Sequence, residues 1–345
     1  MKAMRLTGIR NMEMHTIPDP DLRHDTDVLI QMTRVGVCGS DVHYYTEGRI
    51  GCQVARYPFT VGHEGAGIVK QVGSAVSRVK PGDRIAIEPA MPCWSCDQCL
   101  ANRPHTCRKM LFLGCPGQAD GCLSELLVMP ETSCFPLPPS LDDDQGALSE
   151  PLSIGLYSVR QSIPMRGRTV GILGAGPIGL SVLLVARHFG AGRIYTTDLV
   201  DSRLALARNA GADWTGNPSE TNVVQAITTE EPDQLDVVFE CCGQQEALDQ
   251  AIALLKPGGK LMLVGIPPTL DRVSFQIDNL RRKEICIQNV RRQNHCVQPA
   301  LDMIARRQVN VAMMVTHRFP FAETQAAFDM VAGYQQGVVK AMIDF

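Results

Sequence analysis

The chain has 345 residues, 45% of them hydrophobic and 20% charged, with a net charge of −3. That length fits about two domains with ample core, and the near-neutral charge excludes the strongly basic face of a nucleic-acid partner. Residues 1–7 lack the apolar core of a secretory signal, and the longest apolar run, 178–186, is far short of the roughly 20 residues a membrane span needs, so a cytoplasmic protein with no membrane partner is expected. The 13 cysteines form an odd set and, with no such signal, do not read as a disulfide framework.

In the first half, residues 26–36 are rich in β-formers and end at glycine. Residues 68–72 and 84–87 read similarly, with Lys80-Pro81-Gly82-Asp83 as a turn between them. Short strands without a long helical period predict a β-barrel-like domain. Within it lie Cys38, with Ser40, His43 and Tyr44 close behind, and then His63 and Glu64. Thiolate, imidazole and carboxylate are the side chains that bind a borderline-soft cation such as zinc. Taken alone, the trio equally describes a buried thiol, a core histidine and a surface acid. Cys93, Cys96 and Cys99, followed by Cys107, carry more information. Two residues between successive thiolates let a loop wrap one ion, and the fourth closes a tetrahedral shell with no open position, hence a structural zinc. An iron–sulfur cluster or four free thiols are the other readings.

From Arg168 the texture alternates. The apolar run 169–173 reads as a strand, followed by Gly174-Ala-Gly176-Pro177-Ile178-Gly179 and a helix over 180–189. Gly174 permits the tight turn, Gly176 lets backbone approach a pyrophosphate, and Gly179 lets helix pack on strand. The helix start, with Pro177 and Ile178, presents free N–H groups to phosphate. A second strand, 193–198, ends in Asp198, placed to bind the adenosine ribose and to favour NAD over NADP; it also suits an N-cap for a helix near Asp201. Arg203 either reaches the adenosine side or lies in solvent. Strand 236–240, helix 245–255 and strand 260–264 continue a doubly wound parallel sheet. Gly265, flanked by Val264 and Ile266, allows close approach to the nicotinamide end. The charge run 281–283 reads as a solvated face. In the tail, 309–319 looks like strand and 323–331 like helix. The expected division is 1–151, with a metal lobe at about 92–108, then 152–288, then 289–345 returning to the first domain.

Cys38-Gly-Ser-Asp-Val-His43, Gly62-His63-Glu64, the four-cysteine lobe and the 174–179 turn occur in one collinear order. Together they resemble the zinc-containing medium-chain dehydrogenases, which include alcohol dehydrogenase. Ile87-Glu-Pro89, Ser149-Glu150-Pro151-Leu-Ser-Ile-Gly155 and Val315-Thr-His-Arg-Phe-Pro320 are most similar to the sorbitol (polyol) dehydrogenases.

The resemblance implies an α/β chain with a GroES-like β-rich catalytic domain and a Rossmann coenzyme domain. It implies one catalytic zinc on Cys38, His63 and Glu64, with Glu150 either a ligand or the holder of the zinc's water, and one structural zinc. Ser40 and His43 would carry the proton out by way of the cofactor ribose, and Tyr44 would line the pocket. The implied reaction moves a hydride from a secondary alcohol of a polyol to NAD, giving a ketose. Relatives carry Arg-Tyr near the substrate where this chain has Arg291-Arg292, and an aromatic where it has Leu113. A second guanidinium suits a phosphorylated or carboxylated polyol. A threonine or simple alcohol dehydrogenase is the enzyme alternative; a dinucleotide-binding redox sensor is the non-enzyme one, and the intact ligand trio argues against it. Relatives are dimers or tetramers, so a homo-oligomer is expected.

Overall fold

The β-rich stretch at 26–36 forms the strand Asp27–Gly36 in the computed structural model, which describes residues 1–267 and 272–345. Val28, Ile30 and Met32 point into the core on a period of two, and a register shift between Met32 and Arg34 then turns Val35 inward instead. An extra residue in a strand has this effect on the alternation. The strand sits inside a seven-stranded sheet ordered Cys134–Pro136, Arg84–Ile87, Glu64–Val72, Asp27–Gly36, Lys340–Asp344, Val315–Pro320, with Leu126–Pro130 also paired to Asp27–Gly36. Its core gathers Leu6, Ile30, Phe59, Leu123, Phe328 and Ile343.

This sheet belongs to the first of two compact units, made of Met1–Glu150, Val297–Arg307 and Met314–Phe345; the second comprises Pro151–Cys296 and Gln308–Met313. Two expectations fail here. The first half does contain a long helix, Asp143–Gln161, with Pro151 inside it. Its local sequence hides it, because an interior proline removes one helical hydrogen bond and normally marks a boundary. The stretch 309–319 is not one strand but a 3₁₀ turn, Val311–Met314, followed by the strand Val315–Pro320. The chain passes from the second unit to the first between Met313 and Met314, and one straight strand cannot serve two cores.

The second unit holds a six-stranded parallel sheet ordered Trp214–Gly216, Arg193–Thr197, Thr169–Leu173, Leu235–Glu240, Leu255–Leu263, Cys286–Asn289. Leu235–Glu240 is buried along its whole length, as a central parallel strand covered on both faces must be. The strand order reverses between Thr169–Leu173 and Leu235–Glu240. Ligands of open α/β sheets bind beyond the carboxyl ends of the strands at such a switch point. Among the described residues, no helix is long and apolar enough to cross a membrane.

Candidate functional site

Cys38 is the N-cap residue of the helix Gly39–Glu47. Ser40 Oγ donates to Cys38 Sγ at 3.3 Å. One turn on, Asp41 is buried at 1% exposure. Its Oδ1 meets His63 Nδ1 at 3.2 Å and accepts the Gly62 N–H at 3.2 Å. A carboxylate on Nδ1 fixes the ring and turns Nε2 outward as the ligating nitrogen. The ring also packs on Phe112 at 5.4 Å between centroids.

Glu64 opens the strand Glu64–Val72 opposite Gly36. A Cβ on Gly36 would collide with Glu64 Oε2, so that glycine makes room for the carboxylate. Lys340 Nζ, itself buried, donates to both Glu64 oxygens at 2.8 and 2.5 Å and to the Val37 carbonyl at 3.1 Å.

The ligand atoms of Cys38, His63 and Glu64 all lie within 4.8 Å of one another. Three buried carboxylates, Asp41, Glu64 and Glu150, and the Cys38 thiol surround this point against one buried lysine. Burial draws the His63 pKa down, but Asp41 and Cys38 more than reverse it and raise it well above the usual value. Surroundings that hold a proton so firmly also favour a metal cation, and the thiolate–imidazole–carboxylate set fits a three-ligand catalytic zinc with an open position. Glu150 stands outside the close trio, in the middle of the Asp143–Gln161 helix and not at its N-terminus. Burial pushes its carboxyl up to about 8; His63 opposes this, and Glu64 and Glu88 reinforce it.

His43 is half-buried, and desolvation lowers its pKa despite Glu47. Tyr44 is buried; its hydroxyl donates to Gln53 Oε1 at 3.3 Å and lies 3.9 Å from Cys115 Sγ. Leu113 is buried in the core, while Phe112, one residue earlier, is the aromatic beside His63. Cys93, Cys96, Cys99 and Cys107 form the second group with all ligand atoms within 4.8 Å. Cys93 N–H and Lys109 N–H both donate to Cys107 Sγ, at 3.2 and 3.3 Å, which stabilises thiolate charge in a closed four-sulfur shell. This set fits a structural zinc.

In the second unit, Gly174 has φ 103°, and a Cβ on Gly179 would overlap the Gly174 carbonyl. The nearest atom to a Cβ on Gly176 is Arg203 Nη1 at 3.7 Å, leaving the open space a pyrophosphate needs. Gly176 caps the helix Pro177–His188, with Pro177 and Ile178 in its first turn. Asp198 Oδ2 accepts the Ala175 N–H at 2.7 Å and Oδ1 the Val200 N–H at 2.9 Å. It is not the helix N-cap, a position Val200 takes, because its carboxylate is turned to the glycine turn. Arg203 is 8% exposed rather than solvated. Val264 and Gly265 donate to the Glu240 carbonyl at 2.9 Å each, and Ile266 is exposed. Arg291 is exposed and Arg292 half-buried at φ 53°; both belong to the second unit, as the metal trio does not.

Sequence reasoning missed Asp41, Phe112 and Lys340. A lone lysine in the apolar run 338–343 was the available clue for the last, since such a charge demands a buried partner.

Two family descriptions match the chain: "Alcohol dehydrogenase GroES-like domain" over residues 24–139 and "Zinc-binding dehydrogenase" over residues 177–306. Sorbitol dehydrogenase of Bacillus subtilis is 36% identical over 344 residues, covering 99% of this chain and 97% of that protein. A probable D-xylulose reductase A of Aspergillus clavatus is 36% identical over 332 residues, covering 94% and 92%. Among solved structures, an Escherichia coli oxidoreductase/dehydrogenase of unknown specificity involved in membrane biogenesis superposes with a TM-score of 0.92 at 31% identity, covering 99% and 98%.

Proposed function

Because the chain belongs to the zinc-binding medium-chain dehydrogenases, with a GroES-like β-rich domain and a Rossmann-type dinucleotide domain, we propose that this NAD-linked oxidoreductase oxidises a secondary alcohol of a sorbitol-like polyol to a ketose. The observation that carries the reading is the Cys38–His63–Glu64 trio, intact within an electronegative setting, in a chain whose similar relatives include a sorbitol dehydrogenase.

Cys38, His63 and Glu64 hold the catalytic metal, with Glu150 beside it as a fourth ligand or as the acceptor for its water. Bound zinc supplies a Lewis acid that lowers the pKa of an alcohol hydroxyl. Ser40 Oγ would relay the released proton, by way of the cofactor ribose, to the His43 ring, which passes it out; the lowered pKa of His43 keeps its ring neutral and able to accept. Tyr44 packs against the polyol chain. Gly174, Gly176, Pro177, Ile178, Gly179 and Arg203 hold the pyrophosphate and adenosine end, Asp198 the ribose, and Val264, Gly265 and Ile266 the nicotinamide end. Residues 1–151 form the catalytic domain with the larger part of the tail 289–345, and 152–288 the coenzyme domain, which also takes in 289–296 and 308–313. The working form is a cytoplasmic dimer or tetramer.

The paired guanidinium groups Arg291 and Arg292 favour a second reading, a phosphorylated or carboxylated polyol. A screen of C4–C6 polyols, their phosphates and acids, threonine and short alcohols with NAD⁺ and zinc separates these. Reduction of NAD⁺ by neutral polyols is expected. Turnover only with anionic polyols selects the second reading, and turnover only with threonine or short alcohols removes both.

A further inference from the structure

Three adjacent strand ends in the second unit converge on one carboxylate. Glu240 closes the strand Leu235–Glu240 and is 2% exposed. Its Oε1 accepts the Cys242 N–H at 2.8 Å, the Gly243 N–H at 2.6 Å and the Cys242 thiol at 3.1 Å. Its backbone carbonyl accepts Val264 N–H and Gly265 N–H at 2.9 Å each. The side chain therefore fixes the turn after its own strand, while the backbone fixes the turn after the neighbouring strand Leu255–Leu263.

The turns have no slack between them. A Cβ on Gly265 would lie 2.7 Å from Glu240 Oε2 and would collide with the Gly243 nitrogen. Gly243 has φ 70°, and a Cβ there would lie 2.6 Å from the Ile266 carbonyl oxygen. On the other side, a Cβ on Gly174 would come within 3.2 Å of Cys242 Cβ. The turns 174–179, 241–243 and 264–266 are thus stacked backbone against backbone around Glu240, at the switch point of the sheet.

We infer that Glu240 is a positioning residue for the dinucleotide: by taking the N–H groups of Cys242 and Gly243 it locks the glycine turn and the 264–266 turn into one preformed binding surface. The inference rests on the cofactor reading given above. Its physical content is preorganisation. Without the carboxylate, the N–H groups of 242 and 243 turn to other acceptors, and NAD⁺ must order the 241–243 turn, which packs against the other two, as it binds. Glu240 touches no reacting atom, so it acts on affinity and not on the hydride step.

The test compares the zinc-loaded parent with Glu240→Ala, Glu240→Asp and Glu240→Gln, reading Kd for NAD⁺ by calorimetry, KM for NAD⁺, kcat and zinc content. Glu240→Ala is expected to raise Kd and KM for NAD⁺ tenfold or more, with kcat at saturating NAD⁺ within threefold and zinc retained. Glu240→Asp, which keeps the charge but withdraws the oxygens from both N–H groups, is expected to lose affinity as well; Glu240→Gln, which keeps an acceptor in place, recovers most of it. A purely structural role would lower the active fraction, and with it kcat, at unchanged KM, and that result overturns the inference. So does parental affinity in folded Glu240→Ala, or in Glu240→Asp if the alanine variant does not fold. A parent that fails to bind NAD⁺ at all refutes the cofactor reading itself, a result distinct from variants that bind as the parent does.

Discussion

Replacing Lys340 by methionine keeps most of the apolar stem and deletes the ammonium group with its charge and its hydrogen bonds. In the parent, Nζ bridges both oxygens of Glu64 and the Val37 carbonyl, with both residues of the ion pair 1% exposed. Removing one partner of a buried ion pair costs about 3–5 kcal/mol, because the other charge is left uncompensated away from water. For a unit of 150–250 residues each kcal/mol moves the melting temperature by about 2–4 °C. The metal-free Lys340→Met variant is therefore expected to melt about 6–20 °C below the metal-free parent. A divalent cation at the trio compensates the same carboxylate, so zinc should stabilise the variant more than it stabilises the parent, and the gap should narrow when both are loaded. Thermal unfolding followed by near-ultraviolet circular dichroism, with chelator and with zinc, measures both differences. Glu64→Gln in the Lys340→Met background removes the stranded charge and should restore at least about 1 kcal/mol. A metal-free Lys340→Met variant as stable as the parent, or a double variant no better than the single, would refute the reasoning.

Asp41→Asn weakens the acceptor that orients His63, and outer-shell changes of this kind lower metal affinity by about 10–100-fold; competition against a coloured chelator reads it. Cys107→Ser opens the four-sulfur shell, so metal content should fall by one of the two bound ions, and trypsin should cut at Arg108 and Lys109 faster than in the parent. Parental zinc content and digestion would contradict a structural role for the lobe. Asp236 gives a pH signature. Burial pushes its carboxyl up, but Lys256 and two hydrogen bonds from Thr169 outweigh this and hold it below its ordinary value. A carboxyl with a depressed folded pKa contributes stability above its unfolded value, near 3.9, and that contribution is lost as pH falls through the folded one. Asp236→Asn should thus be about 1 kcal/mol less stable than the parent at pH 7, a modest figure because Arg168 and Lys256 are partly solvated. The gap should close below about pH 4; a gap constant across that range would argue against the assignment.

The parts of the site that were legible in the sequence are those whose geometry is enforced locally. Gly174 is required by its own positive φ and Gly179 by the Gly174 carbonyl five residues before it, and the cysteines at 93, 96, 99 and 107 close their shell within one lobe. Asp41 stood in plain view beside Cys38, but its role depends on a partner 22 residues away. The Lys340–Glu64 pair spans 276 residues, and no local pattern couples them. Phe112 and Leu113 show a different limit: Phe112 ends the strand Leu111–Phe112 and packs on His63, while Leu113 just beyond it faces the core, so a one-residue offset exchanges one environment for the other. The helix Asp143–Gln161 was hidden by Pro151 and by serines at 149 and 153, residues that usually mark helix ends.

The strand Lys340–Asp344 lies between Asp27–Gly36 and Val315–Pro320 in the sheet of the first unit. During synthesis from the amino terminus, the stretch Pro151–Cys296 of the second unit emerges unbroken and can assemble its parallel sheet while the ribosome is still at work. The first unit cannot do the same. Its edge along residues 34–36 stays unpaired, and Glu64 stays without its lysine, until the stretch at 340–344 has left the exit tunnel. The dinucleotide fold can thus form before the first unit is complete, and in a chain stalled short of Lys340 the Glu64 carboxylate has a bound cation as its one available counter-charge in place of the lysine.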